Sequence, residues 1–404
     1  MNRLMRGRVL AMSILGGVVV IDPNTSSAVD MMTTVAVGSS KSPASVRLTP
    51  AKTISLSSGW RSPYVMGLSF SPSGRYLGIV EKLPDGSNAI DVWDVQENRR
   101  QSRIGVIINY SDYPDVALTW TPDGRYITFG NRTRTQLIQF WDPMSGALAK
   151  EAPASVFAYR LHFNGDGSRA LAENAPLARS STFRVYDTAD WSFREIDEKD
   201  LDVRALSWVG GDQVLVFGAV RRGKGMTDTQ APLQSPNFKE NDAVVRLIDL
   251  AGRLPAKTVL VVASDPHVIE RNGTSRTWYE DQVIGGYFLL PSGDGSKVLA
   301  GYGHVIDTKV MKVMTYASTA DLVDHRFPGQ MGERNAAVNP DGTRIYLKGV
   351  SQPSSGMPQN MVLDANTGEI VHSFKGGGVG IAISPDGRQL AIGDGSTIHI
   401  SNIE

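Results

Sequence analysis

Apolar and polar positions change places every second residue along short stretches of this chain. Val116 to Thr121 does so in β-branched and aromatic types, Tyr126 to Gly130 repeats the habit, and Leu137 to Trp141 does it again. Period two over so few residues marks a half-buried strand. Between the first two runs lies Pro122-Asp123-Gly124. Proline presets φ, the aspartate side chain bonds nearby backbone and glycine takes positive φ, so a tight turn is expected. Asp142-Pro143-Met144-Ser145-Gly146 opens a second turn after the third run. Residues 114–142 therefore predict strand, tight turn, strand, loop, strand.

The same unit recurs. Its first turn is Ser71-Pro72-Ser73-Gly74-Arg75, its second Thr121-Pro122-Asp123-Gly124-Arg125 and its third Asn164-Gly165-Asp166-Gly167. A degenerate fourth is Gly210-Gly211-Asp212. Ser292-Gly293-Asp294-Gly295, Asn339-Pro340-Asp341-Gly342 and Ser384-Pro385-Asp386-Gly387-Arg388 complete seven. The aligned glycines 74, 124, 167, 211, 295, 342 and 387 are spaced by 50, 43, 44, 84, 47 and 45 residues, the one outlier holding a polar insertion and a long connection. A second landmark follows each turn, an apolar run ending in aspartate. Val92-Trp93-Asp94, Phe140-Trp141-Asp142, Val185-Tyr186-Asp187, Leu247-Ile248-Asp249, Val305-Ile306-Asp307 and Val362-Leu363-Asp364 carry it, and Ile400-Ser401-Asn402 stands in its place in the last unit. A further turn and a fourth strand complete each unit. Four short strands per unit at this period predict an all-β, seven-bladed β-propeller of four-stranded antiparallel blades.

The SPDGR-type turns, the two Trp-Asp pairs and the period near 45 residues resemble the WD-repeat-like β-propeller superfamily over roughly residues 52–404, most nearly its divergent bacterial, YVTN-like or Tol-system-like members. No Gly-His pair stands before each inner strand, where that family usually has one. The resemblance implies an interaction scaffold and assigns no site.

The last unit, Gly380 to Glu404, supplies only three strands, while Lys52 to Ser57 is an orphan strand near the start. Placed as the outer strand of the last blade, the orphan closes the ring and removes two unpaired edges.

Residues 1–28 read as an export signal: Arg3, Arg6 and Arg8 precede an apolar run from Val9 to Ile21, and Ser26-Ser27-Ala28 offers small residues for cleavage. That run is shorter than the roughly 20 residues of a membrane-spanning helix, so no transmembrane span is expected in the mature chain. The other reading is the frayed apolar start of a cytosolic protein. Residues 29–51 read as a linker and 52–404 as the propeller, a monomer placed in the periplasm or outside the cell.

Composition narrows the chemistry. The 404 residues carry 41 basic and 41 acidic side chains, which argues against a globally basic nucleic-acid binder. With no cysteine, disulfides, thiol nucleophiles, Cys-ligated zinc and iron–sulfur clusters are excluded. No G-x-S-x-G, H-E-x-x-H or P-loop sequence occurs, and Gly376-Gly377-Gly378 precedes a strand. The repeated turn aspartates are structural by the mechanism above. His162 falls in the innermost strand of the third unit, where other units have Ser69, Thr119, Ser207, Ala337 and Ala382. A hydrogen-bonded structural role is its expected one. His304, His399 and His372 fall in outer strands and do not converge. No catalytic residue, metal site or cofactor is proposed from these patterns.

With strands lettered a to d from the centre outward, the a–b and c–d turns lie at one end of the blades, the b–c loops and d–a connections at the other. The second set is long and varied: Glu81 to Ala89, Asn131 to Gln136, Glu173 to Thr182, Gly218 to Asp242 and Lys348 to Gln359, with connections Asn109 to Asp115 and Ser264 to Val283. Binding residues concentrate on such loops. Arg132, Arg134, Arg179, Arg221, Arg222 and Lys224 come from three consecutive blades and form one basic patch, or else a solvated surface offset by Asp228, Glu240 and Asp242. Trp278 and Tyr279 are anchors for a protein contact, or pack on the fifth blade. The expectation is a non-enzymatic protein-binding scaffold. Its alternative, a lactonase-like hydrolase or quinoprotein-like oxidoreductase, requires acid, base or metal-binding groups at the channel mouth.

Overall fold

The computed structural model describes residues 46–56, 64–85, 87–106, 118–129, 137–153, 160–173, 180–221, 238, 242–262, 266–271, 274–279, 288–316, 336–348, 360–374 and 380–404. They form seven four-stranded antiparallel sheets, one separate two-stranded hairpin and a single short 3-10 turn at Gly301–Gly303. The fold is an all-β, seven-bladed propeller, as the repeats predict.

Blade 1 runs a to d through Tyr64–Phe70, Tyr76–Lys82, Asn88–Asp94 and Arg99–Val106. Blade 2 uses Leu118–Trp120, Ile127–Phe129, Leu137–Trp141 and Leu148–Pro153; blade 3 uses Arg160–Phe163, Arg169–Glu173, Thr182–Asp187 and Phe193–Asp197. Blade 4 is the longest: Leu201–Gly210, Gln213–Val220, Ala243–Asp249 and Lys257–Val262. Blade 5 comprises Leu289–Pro291, Lys297–Ala300, His304–Asp307 and Lys312–Tyr316; blade 6 comprises Ala336–Val338, Arg344–Lys348, Asn360–Asp364 and Ile370–Phe374. Blade 7 takes Ile381–Ile383, Gln389–Asp394 and Thr397–Ile403 from the end of the chain, and its outer strand, Leu48–Ser55, from the start. This closing strand begins upstream of the Lys52 expected from the sequence. It pairs antiparallel from Leu48↔Ile403 to Ser55↔Thr397, with a bulge between Pro50 and Lys52.

Turn chemistry explains why the strands stop where they do. Each of the seven aligned glycines has φ between 52° and 74°. In six a–b turns the side chain three residues before that glycine accepts the N–H five residues on, as in Thr121 from Tyr126 at 3.0 Å and Asn339 from Arg344 at 2.7 Å. The turn aspartate accepts the N–H two residues on, as in Asp166 from Ser168 at 2.8 Å. In the c–d turns Asp94, Asp142, Asp187, Asp249, Asp307 and Asp364 do the same, for example Asp142 from Met144 at 2.7 Å. Three of these c–d turn carboxylates also hold an arginine, Arg75 on Asp94 at 2.8 Å, Arg253 on Asp249 at 3.3 Å and Arg344 on Asp364 at 2.5 Å.

Alternation along the strands gives every blade two apolar faces, and the core lies between blades. Phe140 of blade 2 meets Leu161 and Tyr186 of blade 3; Phe183 of blade 3 meets Leu201 and Trp208 of blade 4. The same holds around the ring, including Ile54, Ile398 and Ile400 of blade 7 against Val65, Leu77 and Ile79 of blade 1. Indole N–H groups bond across two of these interfaces, Trp120 to the Ser69 carbonyl at 3.2 Å and Trp208 to the His162 carbonyl at 2.8 Å. Lys52 ties the closing strand to the Val95 and Gln96 carbonyls of blade 1.

Two outcomes are expected. Deleting residues 48–55 exposes the edge of Thr397–Ile403 and one side of the blade 7/blade 1 core; burial of Ile54 alone contributes about 2 kcal/mol. A thermal melt with light scattering should show a lower melting temperature and aggregation, and an unchanged melt would show that closure does not depend on this strand. At Gly295, with φ 67°, a Cβ would overlap the Val209 carbonyl oxygen of blade 4, whereas Gly252, with φ 70°, has open space. Gly295→Ala should therefore cost about 2–3 kcal/mol in urea denaturation and Gly252→Ala about 1 kcal/mol; equal costs would contradict the tight approach of blades 4 and 5.

Candidate functional site

The end of the propeller that carries the b–c loops and d–a connections is the candidate site. Arg132, Arg134, Arg179, Arg222 and Lys224 lie outside the described residues. Arg221 is half-buried, just beyond strand b of blade 4, and its backbone N–H donates to the Asp200 carbonyl at 2.7 Å. Trp278 and Tyr279 belong to strand Thr274–Tyr279, which pairs with Pro266–Arg271 as a hairpin between blades 4 and 5; their side chains lie outside the described residues. This d–a connection thus holds a two-stranded ribbon that no blade incorporates.

Strands reach further toward this end than the loop assignments allow. Glu81 lies inside strand Tyr76–Lys82, Glu173 inside Arg169–Glu173, Gly218 inside Gln213–Val220 and Lys348 inside Arg344–Lys348. All four sequence spans therefore start too early. Three of these residues are charged and buried, so the strands carry ionisable groups into the interblade space.

In blade 1 three adjacent strands contribute to one network. Arg103 of strand d donates from Nε to Asp91 Oδ1 at 2.6 Å and from Nη2 to Asp91 Oδ2 at 2.9 Å, and also reaches Glu81 Oε1. Arg100 adds a longer contact to Asp91 at 3.4 Å. Glu81 is fully buried and its Oε2 has no partner. Burial, reinforced by the neighbouring Asp91 charge and opposed by Arg103, pushes its pKa up to about 7.

Blades 3 and 4 carry a second group. His162 Nε2 lies 2.8 Å from Glu173 Oε2, across two strands of one blade, on the side that packs against blade 4. Arg246 of blade 4 holds Asp200 through two bonds of 2.9 and 2.7 Å, reaches Glu198, and donates to Thr258 Oγ1 at 3.1 Å. It thereby pins the short connection that leads from blade 3 into blade 4. Arg204 bonds Asp202 Oδ2 at 2.6 Å, and the buried Asp202 Oδ1 has no partner. Lys348 of blade 6 donates to the Gly393 carbonyl of blade 7 at 2.9 Å, and burial depresses its pKa to about 8.

These residues form polar locks and acid–base pairs mostly within single blades, with Lys348 bridging blades 6 and 7. Among the described residues no group of three or more metal-ligating side chains converges. Sequence reasoning placed His162 correctly in its inner strand and missed its partner. The available signal was a charge interrupting an apolar run, as in Gly78-Ile79-Val80-Glu81 or Ile345-Tyr346-Leu347-Lys348.

The raised Glu81 pKa has a sign that can be checked. Between about 4.5 and about 7 the folded state holds a proton that the unfolded chain has lost, so the contribution of Glu81 is fully present below pH 4.5 and is lost as pH rises toward 7. Chemical denaturation across this window should show wild-type stability falling relative to Glu81→Gln; parallel curves would mean that Glu81 titrates normally.

No protein-family profile matches the sequence, and no curated protein does. Among solved structures the chain is similar to hydrazine synthase from Kuenenia stuttgartiensis, with TM-score 0.53 and 14% identity over 84% of this chain and 96% of that one. It is also similar to the Cps50 (Swd1) β-propeller domain from Myceliophteria thermophila, with TM-score 0.52 and 12% identity over 89% of this chain and 100% of that one. At these identities the likeness is one of fold, and that fold is the β-propeller.

Proposed function

We propose that this chain is a non-enzymatic interaction propeller that binds a protein partner through the end carrying its b–c loops and d–a connections. The observation behind this reading is the hairpin formed by Pro266–Arg271 and Thr274–Tyr279. An isolated two-stranded ribbon is marginally stable in water, and among the described residues no other strand pairs with this one's edges, so covering it with a partner removes a cost. The opposite end offers no equivalent, because its turns are short and their aspartates are engaged by their own backbone. The export-like segment up to Ala28 supports a location in the bacterial cell envelope or outside the cell, and the turn repeats support a kinship with the YVTN-like and Tol-system-like propellers. Trp278 and Tyr279 are the proposed anchors. Arg221, with the basic residues of the neighbouring loops, supplies charge steering.

A second reading, a propeller enzyme, is supported by His162 and Glu173, one oriented acid–base pair in an inner strand. The two readings separate in one experiment. Affinity capture from the native envelope is run with wild type, a variant lacking residues 266–279, a variant lacking Arg221 to Asn241, and His162→Ala. The scaffold reading expects a partner that His162→Ala retains and at least one deletion loses. Identical recovery by both deletion variants would refute the proposed binding end, and no recovery above background would refute the scaffold.

A further inference from the structure

We infer that the hairpin of Pro266–Arg271 and Thr274–Tyr279 is a dimerisation element: a second copy of this chain adds antiparallel to the Thr274–Tyr279 edge, about a two-fold axis at Thr277. The inference rests on the reading that a protein partner covers this hairpin, and it names that partner. It replaces the monomer expected from the sequence.

The register decides which edge is open. Arg271 pairs with Thr274 across only two intervening residues, so these two exchange both backbone bonds. Bonded pairs then alternate along the ribbon, at Ile269 with Arg276 and His267 with Trp278. The residues between them turn their N–H and C=O groups away from the ribbon. On one edge these are Glu270, Val268 and Pro266, and on the other Ser275, Thr277 and Tyr279. Proline has no N–H, so the first edge lacks a donor at one end, as guarded edges do. The second edge keeps a donor and an acceptor at every outward position. Among the described residues no strand pairs with it.

This open edge is complementary to itself. Outward residues of one copy must meet outward residues of the other, which restricts the registers. With Thr277 opposite Thr277, Ser275 meets Tyr279 and Arg276 meets Trp278, so an arginine faces an aromatic residue twice and no like charges meet. Slipping one copy by two residues in one direction sets Arg276 against Arg276, which like-charge repulsion disfavours. Slipping the other way leaves only Thr277–Tyr279 paired. The two-fold contact is isologous and closes on itself, so it makes a dimer and not a fibre. Joined in this way, two ribbons become a four-stranded antiparallel sheet, the size of each blade in the ring, and a sheet of three or more strands escapes the marginal stability of a lone ribbon. A formal net charge of zero leaves no long-range repulsion between copies to oppose the contact.

The chain has no cysteine, so a single introduced thiol reports only on contacts between copies. In the proposed dimer Thr277 meets its counterpart at about 5.5 Å between Cα atoms, a separation that a disulfide spans. Val268 lies opposite Thr277 within the hairpin. It stands three strand spacings from its own counterpart, about 14 Å, beyond a disulfide's reach. Under mild oxidation the full chain carrying Thr277→Cys should therefore give about tenfold more disulfide-linked dimer than the chain carrying Val268→Cys. Light scattering over a concentration series should show wild type and Val268→Pro passing from monomer to dimer mass, while Thr277→Pro stays monomeric. Thermal melts matching wild type would show that the variants fold. A wild type that is monomeric throughout, or Val268→Cys linking as much as Thr277→Cys, overturns the inference. The proposed function fails separately. A foreign partner lost on deleting residues 266–279, without linkage of Thr277→Cys, keeps that function and overturns the dimer. Linkage of Thr277→Cys with no foreign partner captured supports the dimer and overturns a scaffold for other proteins.

Discussion

Ring closure is the constraint on which the rest of the structure depends. Leu48–Ser55 joins Thr397–Ile403, and the Arg47 and Glu404 backbones exchange bonds of 3.0 and 2.9 Å, so the two ends of the described chain are stitched together. Each blade is thin, and its apolar side chains face its neighbours on both sides. No blade buries them alone. Without closure, Ile54, Ile398 and Ile400 would lose Val65, Leu77 and Ile79 as packing partners, and two strand edges would stand open. Closure also joins residues at the greatest sequence separation in the fold, so it carries the largest loop-closure entropy.

Within the closed ring, polar groups are divided between the two ends of the blades. At the a–b and c–d end, aspartates and hydroxyls bond the backbone a few residues away. That chemistry is local and hardly depends on which blade it serves. At the other end, the charged groups belong to strands and find partners on neighbouring strands or blades, as Arg246 does with Asp200 and Glu198. Buried ion pairs of this kind contribute little net stability compared with apolar packing, because desolvation offsets attraction. Their consequence is positional: the connection entering blade 4 is held in one place, and Lys348 joins blade 6 to blade 7. The loop-bearing end is thus a rigid rim of strand ends from which variable segments depart.

Seven turns, seven positive-φ glycines and six capping aspartates were legible because each is written in fewer than six consecutive residues. The closing strand was legible by subtraction, since the last unit lacked a strand and the start had one to spare. The strand ends were not. Glu81, Glu173 and Lys348 look like the beginnings of loops, since a charged residue after an apolar run ordinarily marks a strand's exit into solvent. In the folded protein each is buried beside a partner: Arg103 is 22 residues from Glu81, His162 is 11 from Glu173, and the Gly393 carbonyl is 45 from Lys348. The hairpin formed by Pro266–Arg271 and Thr274–Tyr279 did carry a local signal, the Asn272-Gly273 pair between its two strands, although its polar composition does not resemble a blade strand.

The sequence by itself determined the number of blades, the order of their strands and the end at which each loop emerges. Those follow from turns and alternation, which are local properties of the chain. Tertiary structure alone decided which charges are buried, which partners they meet, and that burial raises the pKa of Glu81. Those depend on distances between residues tens to hundreds of positions apart, and no local pattern records them.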